Sequence, residues 1–251
     1  KQEILESFLY QFYSNKDIPP KILVNINQSF LKEVEKTLSL KNKYKVKIIN
    51  PKLGEKLKHV ILAEKNALES IKLKKASIES HHSALLKLQN LLKLNDMPKR
   101  IEVYDNSHTF GQNSLGVMIV ADKEGFSQKN YRKFNIKYDQ RKKNISKVDD
   151  YYMMEEVLIR RLNKLDLSNN LAIPDIIMID GGKGQFKIVK NIINKFELSY
   201  IKLLSVSKGK NRNSGREIIH LEDRNITLKI NDPLLHFIQR LRDEAHRFAI
   251  T

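Results

Sequence analysis

The sequence has no cysteine and no long run of apolar residues. Without cysteine there is no disulfide framework, no thiol nucleophile and no zinc–thiolate site, so any metal must be held by oxygen or imidazole ligands. No apolar stretch approaches the roughly 18 residues that a bilayer crossing needs, and the first residues, Lys1, Gln2 and Glu3, do not resemble a signal peptide. We therefore expect a soluble, intracellular protein.

Negative charge is also scarce. The 251 residues include 46 Lys plus Arg against 29 Asp plus Glu, a net charge of +17. Both parts of the chain are basic, because residues 1–100 carry 20 basic and 10 acidic side chains and residues 101–251 carry 26 and 19. Such a charge favours a polyanionic partner, either nucleic acid or anionic lipid, since phosphate contacts release counterions. The alternative is that the lysines simply solvate helices.

The pattern of apolar residues divides the chain near residue 98. Residues 1–97 predict a basic module with a helix over 4–12, a strand over 21–25, a helix over 30–40 and a strand over 44–49. These elements form a possible β-α-β unit. A polar helical pattern follows over residues 54–94, and Pro98 closes it.

Residues 98–251 have the order of an α/β domain with a mixed sheet. Three strands (101–105, 115–122 and 131–137) are followed by a helix from the Asp149–Asp150 pair to 164, a strand over 174–180 and another helix. Further strands fit residues 201–206, 217–221 and 226–230. Asp232 and Pro233 then begin a last helix, whose apolar stripe consists of Leu234, Ile238, Leu241, Ala245 and Phe248.

Three residues of this second part are candidates for chemistry. Asp105 and Asp180 each end an apolar strand, where an ionised carboxylate is costly unless a cation or hydrogen-bond donors compensate it. If the two strand ends met, they could bind Mg²⁺, which suits a phosphodiester nuclease. The alternative is that each Asp caps the following turn. His246 lies at the margin of the apolar stripe on the last helix, where an isolated histidine is usually a surface or packing residue.

Two basic segments are candidate phosphate contacts. Residues 181–185 (Gly-Gly-Lys-Gly-Gln) have the composition of a phosphate loop but do not fit the Walker pattern, although Lys183 and the helix amides could hold one phosphate. The loop over residues 208–216 contains glycines and cations together, among them Lys208, Arg212 and Arg216. It could be a phosphate clamp near the end of the sheet or an ordinary solvated loop.

Four separated blocks resemble one family. They are residues 104–109 (Tyr-Asp-Asn-Ser-His-Thr), 149–151 (Asp-Asp-Tyr), 179–185 (Ile-Asp-Gly-Gly-Lys-Gly-Gln) and 242–249 (Arg-Asp-Glu-Ala-His-Arg-Phe-Ala). Together they look like the C-terminal half of UvrC, the nuclease subunit of bacterial nucleotide excision repair, with Asn106 standing where Ile is expected. Residues 8–13, 54–56 and 63–67 also resemble this family. The resemblance implies an RNase H-like endonuclease domain over 98–251 that makes the 5′ incision beside a DNA lesion.

The resemblance also implies roles, partners and a location. Asp105, Asp180 and His246 match an Asp-Asp-His triad that would hold Mg²⁺ or Mn²⁺, Asp150 would support it, with Asp149 a weaker candidate, and Lys183, Lys208, Arg212 and Arg216 would grip the DNA backbone. The expected partners are damaged double-stranded DNA and the UvrB–DNA pre-incision complex, in the bacterial cytoplasm and without a membrane.

We also expect the chain to be a fragment of a longer protein. The GIY-YIG domain that the family uses for the 3′ cut and its tandem helix-hairpin-helix module are not among these residues, and the UvrB-binding segment is expected upstream of Lys1. Two alternatives are a non-catalytic DNA-binding scaffold module of RNase H-like fold and an RNA-directed nuclease of that fold.

Overall fold

The computed structural model describes residues 2–109, 113–136, 150–165, 173–209 and 217–251. The chain divides into two units, Lys1–Ala76 and Ser77–Thr251. The division falls within a long helix, α3 (Gly54–Leu92), upstream of the division predicted near residue 98. The reason is that Ala84, Leu85 and Leu88 of this helix are fully buried in a core of the second unit. No helix in the described ranges is both long and apolar enough to cross a membrane.

The first unit contains the predicted β-α-β arrangement. Its elements are α1 (Gln2–Phe12), β1 (Lys21–Leu23), a 3-10 turn (Gln28–Leu31), α2 (Lys32–Leu40) and β2 (Lys47–Ile49). β1 and β2 pair in parallel, with Ile22 opposite Ile48. Leu31, Val34 and Leu38 are buried against the strands, because their spacing places them on one face of the helical segment.

The second unit is built on an eight-stranded mixed sheet. Its strands are β3 (Ile101–Thr109), β4 (Asn113–Asp122), β5 (Gly125–Phe126), β6 (Arg132–Ile136), β7 (Ile176–Asp180), β8 (Lys202–Ser207), β9 (Ile218–His220) and β10 (Asn225–Thr227). The order across the sheet is β10-β9-β8-β7-β3-β4-β5, with β6 also paired to β4. β3, β7 and β8 run parallel and the other pairs are antiparallel.

Helices cover both faces of this sheet. The end of α3 and α6 (Pro233–Ile250) pack on one face, against side chains such as Val103 and Ile119. α4 (Asp150–Leu162) and α5 (Lys183–Lys195) pack on the other face, against side chains such as Tyr104 and Met118. Successive strand residues point to opposite faces, so each strand contributes to both cores. The predicted mixed sheet flanked by helices is confirmed. The sequence pattern did not indicate the two-residue strand β5 or the 3-10 helix at Gln128–Asn130.

Candidate active site

The pairing of β3 with β7 brings Asp105 and Asp180 together. The two strands are parallel, and the last pair in their register is Tyr104 opposite Ile179, so that Asp105 and Asp180 are the next residues on neighbouring strands. β3 continues to Thr109 in pairing with β4, so Asp105 lies within its strand and not at the strand end that the sequence pattern indicated. Both carboxylates therefore lie where β7 ends and β3 continues.

Asp105 is a buried acid whose ionised form is disfavoured. Only 9% of the residue is exposed. Burial raises the pKa of Asp105, the negative charge of Asp180 raises it further, and His246 acts in the opposite direction. An acid with a raised pKa beside a second acid is a common property of functional sites, because a bound cation relieves both costs.

His246 lies against Asp105. Its Nδ1 atom is 3.5 Å from Oδ2 of Asp105, and 68% of its side chain is exposed. The position is set by α6, which buries Leu241 and Ala245 in the core and so turns the neighbouring His246 toward the edge of the sheet. The imidazole thus borders the buried acid on one side and solvent on the other.

Arg242 completes the group, although the sequence pattern indicated no role for it. Its Nε and Nη2 atoms donate to the two carboxylate oxygens of Asp180, at 3.1 Å and 3.2 Å. Its Nη1 atom lies 3.7 Å from Oε1 of the buried Glu217, which also accepts a hydrogen bond from Gln239. The signal in the sequence was the spacing: Arg242 precedes His246 by four residues, so the two side chains lie on the same side of α6.

Asp150 is linked to the strand that carries Asp105. It is the first residue of α4, and its backbone carbonyl accepts a hydrogen bond of 3.2 Å from the side-chain amide of Asn106. Asn106, the residue where the family resemblance would place Ile, therefore ties the start of α4 to the position after Asp105. Asp149 lies outside the described residues.

Two of the four predicted phosphate contacts lie at the same edge of the sheet. Lys183 is the first residue of α5, shortly after β7, and Lys208 directly follows β8; both are exposed. β7 and β8 are parallel neighbours, with Asp180 opposite Val206, so both lysines follow the strand ends beside Asp180. Arg212 and Arg216 lie outside the described residues.

The donor set has the chemistry of a site for a hard divalent cation. Within the described residues, no three His, Asp or Glu side chains are already arranged as a complete set of metal ligands. Asp105, Asp180 and His246 nevertheless offer carboxylate oxygens and one imidazole, and the repulsion between the two acids would be offset by a cation. Carboxylates suit Mg²⁺ and Mn²⁺. The residues therefore fit such an ion. In the structure, the cation that contacts Asp180 is the guanidinium group of Arg242.

Comparison with known proteins identifies two family models. The model described as the UvrC RNase H endonuclease domain matches residues 89–250, and the one described as the UvrC ribonuclease H-like domain matches residues 1–74. The chain is 44% identical over 254 residues to UvrABC system protein C of Zymomonas mobilis and 43% identical over 263 residues to that of Rhodopseudomonas palustris. In each case 99% of this chain is covered but only 38% and 37% of the relative, so the chain spans less than half the length of these proteins.

Solved structures give more distant similarities. An Endonuclease V from Ciona intestinalis, in complex with a 23-mer DNA containing inosine, aligns with 13% identity and a TM-score of 0.35, covering 56% of this chain and 58% of that one. Kluyveromyces polysporus Argonaute with a guide RNA aligns with 18% identity and a TM-score of 0.31, covering 90% of this chain and 28% of that one. The endonuclease-domain model alone covers more than half of the sequence, and the chain therefore belongs to the UvrC family.

Proposed function

We propose that this chain is the endonuclease part of a longer nucleotide excision repair protein and makes the 5′ incision beside a DNA lesion. One observation carries the proposal. Asp105 and Asp180 are brought together by parallel strands, and the imidazole of His246 lies 3.5 Å from Asp105, in a chain whose family model is described as an endonuclease domain. Carboxylates and an imidazole can together hold a divalent ion, and a bound ion supports phosphodiester hydrolysis.

In this proposal Asp105, Asp180 and His246 hold Mg²⁺ or Mn²⁺. When bound, such an ion supplies an activated water and stabilises charge on the leaving oxygen. The chain itself contributes the fixed separation of the acids, through the register of β3 and β7, and the open side of the site, through the exposure of His246. Asp150 has a supporting role through the start of α4, which Asn106 ties to β3.

DNA is held through its backbone. Lys183 and Lys208 flank the edge of the sheet, and Arg212 and Arg216 follow Lys208 in the sequence. Because the UvrB–DNA pre-incision complex selects the lesion in the bacterial cytoplasm, base contacts are not needed here and phosphate contacts suffice. Binding should then depend strongly on salt: about six such contacts correspond to a roughly thousandfold loss of affinity between about 50 and 200 mM salt.

The test uses the full-length protein and a lesion-bearing duplex in the presence of the other repair subunits. Asp105→Asn and Asp180→Asn should abolish the 5′ cut and leave the 3′ cut and DNA binding in place. A matched control is Asp223→Asn, which removes an exposed carboxylate whose side chain is 64% accessible. If Asp180→Asn makes the 5′ cut at the normal rate, the proposed function is wrong.

One observation also suits the non-catalytic scaffold. Arg242 already neutralises Asp180, as a module that needs no metal would require. Titration with Mn²⁺ separates the two functions, because the nuclease should bind the ion in a manner that Asp180→Asn removes, whereas the scaffold should bind DNA without it. Comparing cleavage of DNA, RNA and hybrid duplexes tests the RNA-directed nuclease, since the 2′-hydroxyl group of RNA distinguishes these substrates.

A further inference from the structure

A second basic surface lies on the face of the sheet that carries α4. It is a concavity of about 740 Å³ whose floor includes Met118 and Val120 of β4 and Phe134 of β6. These side chains belong to the core beneath α4, as does Tyr104. Asp105 follows Tyr104 and so points to the opposite face, toward His246 of α6. The concavity is therefore separate from the candidate active site.

Exposed cations surround this concavity. Six of them line it and come from four segments of the chain: Lys99, Lys129, Arg132, Lys133, Arg160 and Lys164. The guanidinium of Arg132 donates to the backbone carbonyls of Lys129 and Tyr131, at 3.0 Å and 2.7 Å, and that of Arg160 donates to the carbonyl of Asn135 at 2.8 Å. Backbone carbonyls fix the arginines without cancelling their charge.

Two more arginines are held in place by a buried acid. Glu102 has no exposed surface, and its carboxylate accepts hydrogen bonds from Arg100 Nε at 2.8 Å and from Arg161 Nη2 at 2.6 Å. The hydroxyl group of Tyr104 donates to its second oxygen at 2.6 Å. One carboxylate thus orders two guanidinium groups, which line the concavity and whose side chains are mostly buried, with 13% and 12% accessible. Pre-ordered guanidinium groups match the oxygens of a phosphate and lose little freedom on binding it.

The balance of charge favours a polyanion. Eight cationic residues line the concavity, against three carboxylates in or beside it. These are Glu102, Asp122 and Glu156, of which Glu102 is buried and Glu156 pairs with Arg160. The apolar residues of the lining, Met118, Val120 and Phe134, are themselves buried. A bound protein segment would need apolar side chains to anchor on, whereas a phosphodiester backbone needs only spaced cations.

We propose that this concavity is a second binding site for the phosphate backbone of DNA, on the other face of the sheet from Asp105. The inference rests on the proposed function, since it assumes that the protein acts on DNA. It assigns to Lys129 and Lys164 direct phosphate contacts and to Glu102 the positioning of two arginines.

The experiment measures binding of the full-length protein to a fluorescein-labelled, undamaged duplex of about 30 base pairs over a range of salt concentrations. The double variant Lys129→Gln with Lys164→Gln should bind about tenfold more weakly, and the slope of log K against log salt should fall by about 2, because two phosphate contacts are lost. The matched control, Lys195→Gln with Lys229→Gln, removes two exposed lysines that do not line the concavity and should keep the slope of the wild-type protein.

Both lysines of the test variant are exposed, and thermal melting will verify that it folds. Wild-type affinity for DNA and a wild-type salt slope in this variant would overturn the inference. A variant that still binds DNA normally but no longer binds a protein partner of the repair complex would overturn it too. The outcome is independent of the active-site test, because Asp180→Asn affects cutting and not this surface. Normal DNA binding by the lysine variant together with loss of the 5′ cut in Asp180→Asn would overturn only the second site.

Discussion

Arg242 donates one hydrogen bond to each carboxylate oxygen of Asp180, while the cationic partner of Asp105, on the neighbouring strand, is the more distant imidazole of His246. The two acids of the site therefore differ in environment. Asp180 has a paired charge, and Asp105 carries the cost of burial and of the charge of Asp180. A divalent ion at this site would share the carboxylate of Asp180 with the guanidinium group of Arg242.

Removing this arginine should strengthen the binding of a divalent ion. The variant Arg242→Gln lacks the charge beside Asp180, so we expect the affinity for Mn²⁺, measured by electron paramagnetic resonance, to rise about tenfold, or about 1.4 kcal/mol. Arg240→Gln is the control, because Arg240 is exposed on the same helix beside Phe237. Unchanged or weaker binding of Mn²⁺ in Arg242→Gln would mean that the arginine does not compete with the ion.

Replacing Asp105 should stabilise the protein at neutral pH. The folded-state pKa of this acid lies above its ordinary value of 3.8 because of burial and the charge of Asp180. A group with a raised pKa contributes stability that is fully present below the ordinary value and lost as the pH rises through the raised one. Asp105→Asn, which cannot ionise, should therefore melt at a higher temperature than the wild-type protein at pH 7.

The same variant gives a pH-dependent control. As the pH falls toward the ordinary value, wild-type Asp105 becomes protonated and the difference in melting temperature should shrink. Measurements should be made in a chelating buffer, so that no metal contributes to stability. A wild-type protein that is more stable than Asp105→Asn at pH 7 would contradict the prediction.

The exposed imidazole should matter for cutting and not for folding. In His246→Ala we expect the melting temperature to stay close to that of the wild-type protein, since 68% of the side chain is already accessible. The rate of the 5′ cut should fall by about 100-fold or more. Loss of a group that only orients a metal ligand already lowers metal affinity or activity by about 10- to 100-fold, and His246 is proposed as a ligand itself. Single-turnover incision at saturating protein measures this rate, and a rate within about twofold of wild type would exclude a role for the imidazole.

The buried acid of the second basic surface should be needed for stability. In Glu102→Gln the arginines Arg100 and Arg161 lose their shared anion, so we expect the free energy of unfolding in urea to fall by about 3 kcal/mol. The exposed Glu124 offers the matched change Glu124→Gln, which should alter it by less than about 0.5 kcal/mol. A stable Glu102→Gln variant would mean that the arginines find other partners.

Much of the fold could be predicted because its signals are local. The alternation in residues 44–49 and the helical spacing in residues 30–40 indicated the β-α-β unit, and the unbroken apolar run before Asp180 indicated a buried strand. The stripe on α6 from Leu234 to Ala245 also lies in the core as predicted. These patterns can be read from the sequence because the spacing of apolar residues shows which face of a helix or strand is buried.

The parts that could not be predicted depend on long-range contacts. Nothing local to Arg242 indicates that its partner is Asp180, 62 residues earlier, and nothing local to Glu102 indicates Arg161, 59 residues later. The division inside α3 depends on which core buries Ala84 to Leu88, a matter of tertiary packing. The roles of Asp105, Asp150, Asp180 and His246 stay predictions, as do those of Lys183, Lys208, Arg212 and Arg216.

The pairing of Tyr104 with Ile179 has a consequence for how this gene can change over time. Because side chains alternate along a strand, deleting or inserting one codon within β3 or β7 would turn one of the two acids toward α4 while the other still pointed toward α6. Insertions in the turn after β4 would leave that relationship intact. Natural length variation is therefore expected to accumulate in the connecting loops and to be purged from these two strands.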